Sequence, residues 1–242
     1  MRFNLTLALT LTMPFTCLAN NLNYSYVEGG WNNQTLFYNP QSHHRIGGDG
    51  GYLNASWQFN PHAYVFGGFS QARKTVIQDT LIRYALYEGM WSLNRQITNR
   101  SVQQQQLLGI GFHTPIAPHT DFLAELSYSQ NHDRLQKQYT DKYTRFNHGY
   151  GEYETFLISP GLNTQHEHTP ATALTLGMRG TLFSQCEGWI KASYTSGSSY
   201  RSHHFSALIG GQYALNPQWG IVAQASTDNV QTQVQVGLRK YF

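Results

Sequence analysis

The sequence predicts an all-β chain that closes into an antiparallel transmembrane β-barrel of about ten strands. Three observations predict this fold. Only 12% of the 242 residues are charged, about half the share in soluble globular chains, whereas 14% are aromatic and 22 are glycine. Segments of about ten residues alternate apolar with polar or small side chains, as in strands that face lipid on one side. After the N-terminal segment, no apolar run is long enough for a transmembrane helix.

The same composition excludes two other classes of protein. A disordered chain is excluded because the aromatic residues can bury a large apolar surface. A formal net charge of +3 is too small to indicate a nucleic-acid-binding protein. We therefore expect a folded membrane protein with no nucleic-acid partner.

The N-terminus is typical of a secretory signal peptide. Arg2 supplies the positive charge, the segment 3–15 is a short apolar region, and Cys17-Leu18-Ala19 offers a cleavage site. A lipoprotein signal acylated at Cys17 is the alternative, but bulky residues precede that cysteine. We predict a signal peptide over 1–19 and one barrel domain over 20–242. Cys186 is then the only thiol of the mature chain, so an intramolecular disulfide is excluded.

Each strand is predicted from its alternation and from the turn that ends it. Leu53, Ala55, Trp57 and Phe59 share one face, and Asn60-Pro61-His62 then turns the chain back. The predicted strands, in chain order, are 22–31, 52–59, 63–72, 102–113, 122–129, 174–182, 189–194, 205–213, 219–225 and 230–242. The last one alternates over thirteen residues and ends on Phe242, as a closing strand of a barrel does. Eight or twelve strands are the alternatives to ten.

The connections between these strands alternate in length. Those near 60, 116, 185 and 217 are short, whereas 32–50, 74–101, 131–171 and 196–202 are mostly long. Short periplasmic turns and long extracellular loops are typical of outer-membrane barrels. The segment 153–162 also alternates, and we interpret it as a β-extension within the third long loop.

Several stretches resemble a known family. They are YSYVEGGW (24–31), GDGGYLNASWQFNPHAYVFGGFS (48–70), LLGIGFHTPI (107–116), DFLAELSYS (121–129), EGWIKASYTSG (187–197), GGQYALNPQWGIVAQ (210–224) and VQVGLRKYF (234–242). Together they resemble the small outer-membrane β-barrel proteins of xanthomonads and related gammaproteobacteria, OmpA-like or porin-like barrels once proposed as secreted quorum or immune signals. The resemblance implies the barrel fold and the Gram-negative cell outer membrane. It supplies no catalytic residues.

Charged residues on the predicted inward faces form the first candidate site. The alternation places Glu28, Glu125, Arg179, Lys191 and Arg239 in the lumen. Since a barrel of about ten strands is largely filled by side chains, we expect a charge network that holds the wall in shape. A narrow path for small solutes is the alternative. Phe242 is expected to act as the C-terminal insertion signal.

Histidines and basic residues mark the predicted loops. Of the eleven histidines, His132, His166 and His168 are among those in outer loops, but the pattern indicates solvated residues, so no metal site and no cofactor is predicted. The second long loop is basic and aromatic, with Arg73, Lys74, Arg83, Tyr84, Tyr87, Trp91, Arg95 and Arg100. Such residues can hold phosphate groups of lipopolysaccharide or an acidic surface glycan, and solvated loop charges are the simpler interpretation.

The functional prediction is a non-enzymatic outer-membrane protein with a structural or surface-interaction role. A narrow, porin-like pore for small solutes is compatible with this prediction. Expected partners are outer-membrane lipid and lipopolysaccharide, periplasmic chaperones, the barrel-assembly machinery, and a host or surface ligand at the loops. The alternative is an outer-membrane enzyme, a protease or a lipid-modifying enzyme, with its site at the extracellular rim. No G-x-S-x-G or H-E-x-x-H motif is present.

Overall fold

A computed structural model describes residues 22–37, 45–86, 89–147, 152–197, 203–228 and 231–242. Over these residues the chain forms ten strands and no helix. The strands are β1 (Tyr26–Phe37), β2 (Arg45–Asn60), β3 (Ala63–Leu86), β4 (Gly89–Ala117), β5 (Thr120–Asn147), β6 (Glu152–Phe183), β7 (Cys186–Gly197), β8 (His203–Ala214), β9 (Trp219–Asp228) and β10 (Gln231–Tyr241). No helix in this part of the chain is long and apolar enough to cross a membrane.

The ten strands form one closed antiparallel barrel in sequence order. Each strand pairs with the next, and β1 pairs with β10, so that the ring has no free edge. Closure matters because an open edge would leave backbone N–H and C=O groups without partners in lipid. The prediction of ten antiparallel strands is confirmed.

The two ends of the barrel differ. At one end, called here the short-turn end, tight connections near residues 61, 118, 184 and 216 join the strands, and Phe242 lies beside the start of β1, where its N–H bonds the Ser25 carbonyl at 3.3 Å. The opposite end, called the hairpin end, joins β1 to β2, β3 to β4, β5 to β6, β7 to β8 and β9 to β10. The four strands β3–β6 have 24 to 32 residues, against 10 to 16 in the other six.

These four tall strands correct one part of the sequence analysis. The intervals 74–101 and 131–171 are predicted as loops, but β3, β4, β5 and β6 run through most of them as strands. Crossing a bilayer takes roughly 9–11 residues of strand, so these strands continue well beyond it. Sequence alternation misses them because a hairpin with water on both faces needs no apolar stripe. The segment 153–162 lies within β6, as the interpretation of a β-extension requires.

The side chains divide between the two faces of the wall. Large apolar residues point outward on every strand, and Leu108 and Phe205 are 69% and 76% exposed. Inward positions hold mostly polar, charged and small side chains, together with a few buried large ones such as Leu123, Trp189 and Val222. This inversion of the usual core pattern is the arrangement of a barrel whose outside faces lipid.

Candidate functional site in the barrel lumen

The lumen is crossed near the short-turn end by a layer of ion pairs and aromatic rings, here called the floor. One part lies at the seam between β1 and β10. Glu28 Oε2 accepts hydrogen bonds from Arg239 at 2.8 Å (Nε) and 2.6 Å (Nη2), and its other oxygen accepts one from Asn54 at 2.9 Å. The two charged residues are only 2% and 4% exposed. Register explains the pairing, because Glu28 and Arg239 are direct cross-strand partners with both side chains turned inward.

A second ion pair lies on the opposite side of the lumen. Glu125 on β5 accepts hydrogen bonds from Lys191 Nζ and from the Tyr64 hydroxyl, both at 2.6 Å. These three residues come from β5, β7 and β3, so their contacts tie together strands that are not neighbours. A buried carboxylate needs such partners, since an unpaired charge in a dry site costs several kcal/mol.

Arg179 on β6 connects the floor to the segment before β1 and to the end of β10. It donates hydrogen bonds to Glu187 on β7, to the Asn23 carbonyl at 3.0 Å and to the Tyr241 hydroxyl at 3.1 Å. Its guanidinium also lies 4.7 Å from the centroid of the Tyr24 ring. Together these contacts supply hydrogen-bond acceptors and an aromatic face for a guanidinium group that is almost fully buried.

Tyr24 precedes β1 and fills the mouth at the short-turn end. Its ring stacks on His113 at 4.0 Å and on Tyr64 at 4.9 Å between centroids. Its hydroxyl donates a 2.8 Å hydrogen bond to Asp121, which lies 3.1 Å from His113 Nδ1. With Leu123 and Tyr64, Tyr24 forms the buried apolar cluster of the barrel. The segment before β1 therefore places a buried aromatic ring in the lumen at this end.

Above the floor the lumen widens into a polar cavity of about 350 Å³, here called the cup. Its upper wall is made mainly of neutral hydroxyl and amide side chains, among them Ser127, Ser129, Thr195, Ser206 and Gln105. On one side, hydrogen bonds between side-chain amides link neighbouring strands of the wall. Gln34 donates to Gln231 and Gln233 donates to Asn32, both at 2.9 Å. The cup offers mainly neutral hydrogen-bonding groups. Its charged lining residues are those of the floor and, at the hairpin end, Asp228 beside His204.

Histidines at the hairpin end contact both a carboxylate and one another. His204 Nε2 lies 3.3 Å from Asp228 Oδ2 on the inner side of the rim. On the outer side, the rings of His132 and His168 are perpendicular, with centroids 4.3 Å apart. No group of three or more potential metal ligands occurs among the residues that the structure describes.

The five lumen residues predicted from the sequence all lie in the floor or against it. Four of them form two mutual pairs, Glu28 with Arg239 and Glu125 with Lys191, whereas Arg179 pairs with Glu187, a residue outside the predicted set. The sequence analysis also missed Tyr24, His113 and Asp121. Strand alternation extended by a few residues would have found Glu187 and Asp121. Alternation already puts Tyr24 on the inward face of predicted strand 22–31, with Glu28, and His113 on the inward face of 102–113, but no sequence signal marks the contacts that they form.

The predicted basic second loop is divided by the structure. Arg73 and Lys74 lie on opposite faces of β3, and Arg95 binds Asp141 through two 2.8 Å hydrogen bonds. Tyr87 lies outside the described residues, as do the side chains of Arg83, Tyr84 and Trp91.

Comparison with known proteins gives the fold and nothing finer. No family model matches the chain, and no curated protein does. Among solved structures, the outer membrane protease OmpT from Escherichia coli is similar with a TM-score of 0.50 and 7% identity, over 93% of this chain and all of that one. The fold is that of an outer-membrane β-barrel.

Two other similar structures have lower scores. Ail, the attachment invasion locus protein of Yersinia pestis, solved with the heparin analogue sucrose octasulfate, has a TM-score of 0.39 and 13% identity, covering 90% of this chain and 97% of its own. The KdgM porin, solved with disordered oligogalacturonate, has 0.40 and 10%, covering 90% and 99%. The neighbours thus include a protease, an attachment protein and a porin. The resemblance to the xanthomonad barrels stays a prediction.

Proposed function

We propose that this chain is a non-enzymatic protein of the Gram-negative outer membrane, closed to solutes, which presents its tall hairpins for interaction at the cell surface. The observation that carries the proposal is the floor. Ion pairs from β1, β5, β6, β7 and β10 meet the rings of Tyr24 and Tyr64 across the lumen. In this proposal, these side chains obstruct the lumen at the short-turn end.

The membrane location is supported by the outward face. Its exposed apolar side chains continue around the ring, and no water-soluble protein leaves such an area uncovered. In this proposal the short-turn end faces the periplasm and the hairpin end faces outward. Export by a signal peptide cleaved after residue 19, escort by periplasmic chaperones and insertion by the barrel-assembly machinery through Phe242 belong to the same proposal.

Planar-bilayer recording tests whether the lumen is closed. The refolded mature chain should give no discrete conductance steps. The double variant Tyr24→Ala/Arg179→Ala removes the mouth ring and its cation, and it should give them. Ser127→Ala, which changes the cup wall only, should stay silent. Heat-modifiable gel mobility must first show that each protein is folded. Steps from the unchanged protein would overturn the proposal and favour the narrow pore.

An enzyme at the rim is the second candidate, favoured by the pair of His204 and Asp228. A histidine beside a carboxylate that is 6% exposed can activate water, and the fold also serves the protease OmpT. Peptide cleavage by the refolded chain in lipopolysaccharide-containing micelles, lost in His204→Ala and retained in His203→Ala, would establish this role. Inactivity of the native chain toward both peptide and lipid ester substrates would leave the non-enzymatic role.

A further inference from the structure

The outward face of β3–β6 changes character where the apolar band ends. On β4 the outward apolar residues run from Ile116 back to Leu108, which matches the roughly 9–11 residues of a strand that crosses a bilayer. The outward positions that follow are Gln106 and Gln104. Strand register shows what lies around them on the neighbouring strands.

After the row Phe69–Gln106–Gln130–Pro170, three further rows of outward residues follow the apolar band. The cross-strand pairs give the rows Gln71–Gln104–His132–His168, Arg73–Val102–Arg134–His166 and Thr75–Arg100–Gln136–Thr164. These twelve positions, here called the cationic belt, contain three arginines, three histidines and no carboxylate. The buried neighbours Ala72, Gln103 and Thr169 face the other way, which fixes the belt on the outside of the wall.

The three arginines carry charges that no described carboxylate neutralises, and Arg73 also donates hydrogen bonds of 3.1 Å and 3.2 Å to the side-chain amide of Gln71. Arg73, Arg100 and Arg134 are exposed, and none of them forms an ion pair with a residue that the structure describes. Arg73 and Arg134 flank Val102 on the adjacent strands, so they stand about 10 Å apart across two strand spacings. Guanidinium groups bind phosphate oxygens through paired, charge-assisted hydrogen bonds.

We propose that the cationic belt binds the phosphate groups of a lipid in the outer leaflet. The occupant is a lipid because only one row of residues, which includes the exposed Phe69, separates the belt from the apolar band. Acyl chains would lie along Leu108, Leu126 and Leu174, which are 54% to 69% exposed, while the phosphates meet the arginines above them. Lipopolysaccharide has this chemistry. The inference rests on the proposed function in one respect only, that the hairpin end faces the outer leaflet.

The matched variants remove two charges each. Arg73→Gln/Arg134→Gln removes both arginine charges from the central row of the belt. Lys74→Gln/Lys240→Gln removes two exposed cations elsewhere, one on the opposite face of β3 and one near the short-turn end. Near an anionic surface each cation contributes about 1 kcal/mol, or about fivefold in affinity. The belt variant should therefore bind lipopolysaccharide at least tenfold more weakly than the native chain, and the control variant should stay within threefold.

Binding is measured in detergent micelles with the full mature chain, by native mass spectrometry and by the rise in melting temperature. Lipopolysaccharide should bind, and its phosphatase-treated form should bind at least tenfold more weakly. Millimolar inorganic phosphate should not displace it. Equal weakening in both variants, indifference to dephosphorylation, or displacement by inorganic phosphate would each overturn the proposal. Since the belt variant leaves the floor intact, it should remain silent in planar bilayers, so a conducting native chain would count against the closed barrel alone.

Discussion

Glu28 and Arg239 join the first strand of the barrel to the last through two hydrogen bonds to one carboxylate oxygen. They are direct cross-strand partners, and Arg239 also lies over the ring of Tyr26, 3.9 Å from its centroid. The ring closes where these two strands meet, so the seam is fixed from inside by a buried ion pair as well as by backbone hydrogen bonds.

Breaking this pair from one side should destabilise the barrel more than removing it whole. Glu28→Gln or Arg239→Met each leaves a buried charge without its partner, which costs about 3–5 kcal/mol. In Glu28→Met/Arg239→Met no charge remains to be desolvated. We expect the double variant to lose less free energy of unfolding than the sum of the single variants, measured by urea titration of the refolded barrel. Strict additivity would show that the two residues act independently.

Glu125 and Ser127 offer a matched pair on one strand. Both face the lumen two residues apart, but Glu125 holds Lys191 and Tyr64 whereas Ser127 lines the cup. Glu125→Ala removes the carboxylate that pairs with the partly buried ammonium group of Lys191 and should lower the melting temperature markedly. Ser127→Ala should have little effect. Equal melting of the two variants would argue against a floor that stabilises the wall.

Gly30 and Gly29 test how closely the seam strands approach. A Cβ on Gly30 would lie 2.1 Å from the Val236 carbonyl oxygen and 2.4 Å from Gly237 Cα, both backbone atoms. A Cβ on Gly29 would meet atoms at 3.3 Å and 3.5 Å. Gly30→Ala should therefore destabilise the barrel by about 1–3 kcal/mol or more, as overpacking does, and Gly29→Ala by much less. The temperature at which the gel band shifts from its folded to its heated position measures the stability of both variants. A Gly30→Ala barrel that unfolds at the same temperature as the native barrel would contradict the close approach of the seam strands.

Asp141 should titrate below the usual range of an aspartate. Its carboxylate accepts two hydrogen bonds from Arg95, and this bonding lowers the pKa of Asp141. A lowered pKa in the folded hairpin means that the stabilisation is present above the ordinary aspartate pKa, about 3.9, and is lost as the pH falls through the lowered value. Carboxyl-carbon NMR should show this, with Arg95→Gln raising the pKa and Lys142→Gln leaving it low. An unchanged pKa in Arg95→Gln would exclude Arg95 as the cause.

Alternation along the chain was sufficient to predict the ten strands and the inward direction of their charged residues. A strand between lipid and lumen must alternate, so Trp57 and Leu53 mark their faces without further information. Two features of the structure could not be predicted from alternation. The ends of β3–β6 stand in water and need no such pattern, and the Tyr24 hydroxyl meets its partner Asp121 97 residues away in sequence. Contacts across the lumen depend on the register of all ten strands at once, which no local pattern encodes.

The difference in height between β3–β6 and the other six strands gives the outer mouth an oblique rim. With the hairpin end facing outward, as proposed, a large molecule at the cell surface would meet the tall strands β3–β6 on one side and the shorter strands β7–β10, β1 and β2 on the other. Access to the cup is therefore directional. Neighbouring proteins or long glycan chains that crowd the low side would obstruct it, while the same crowding behind the tall sheet would leave it open.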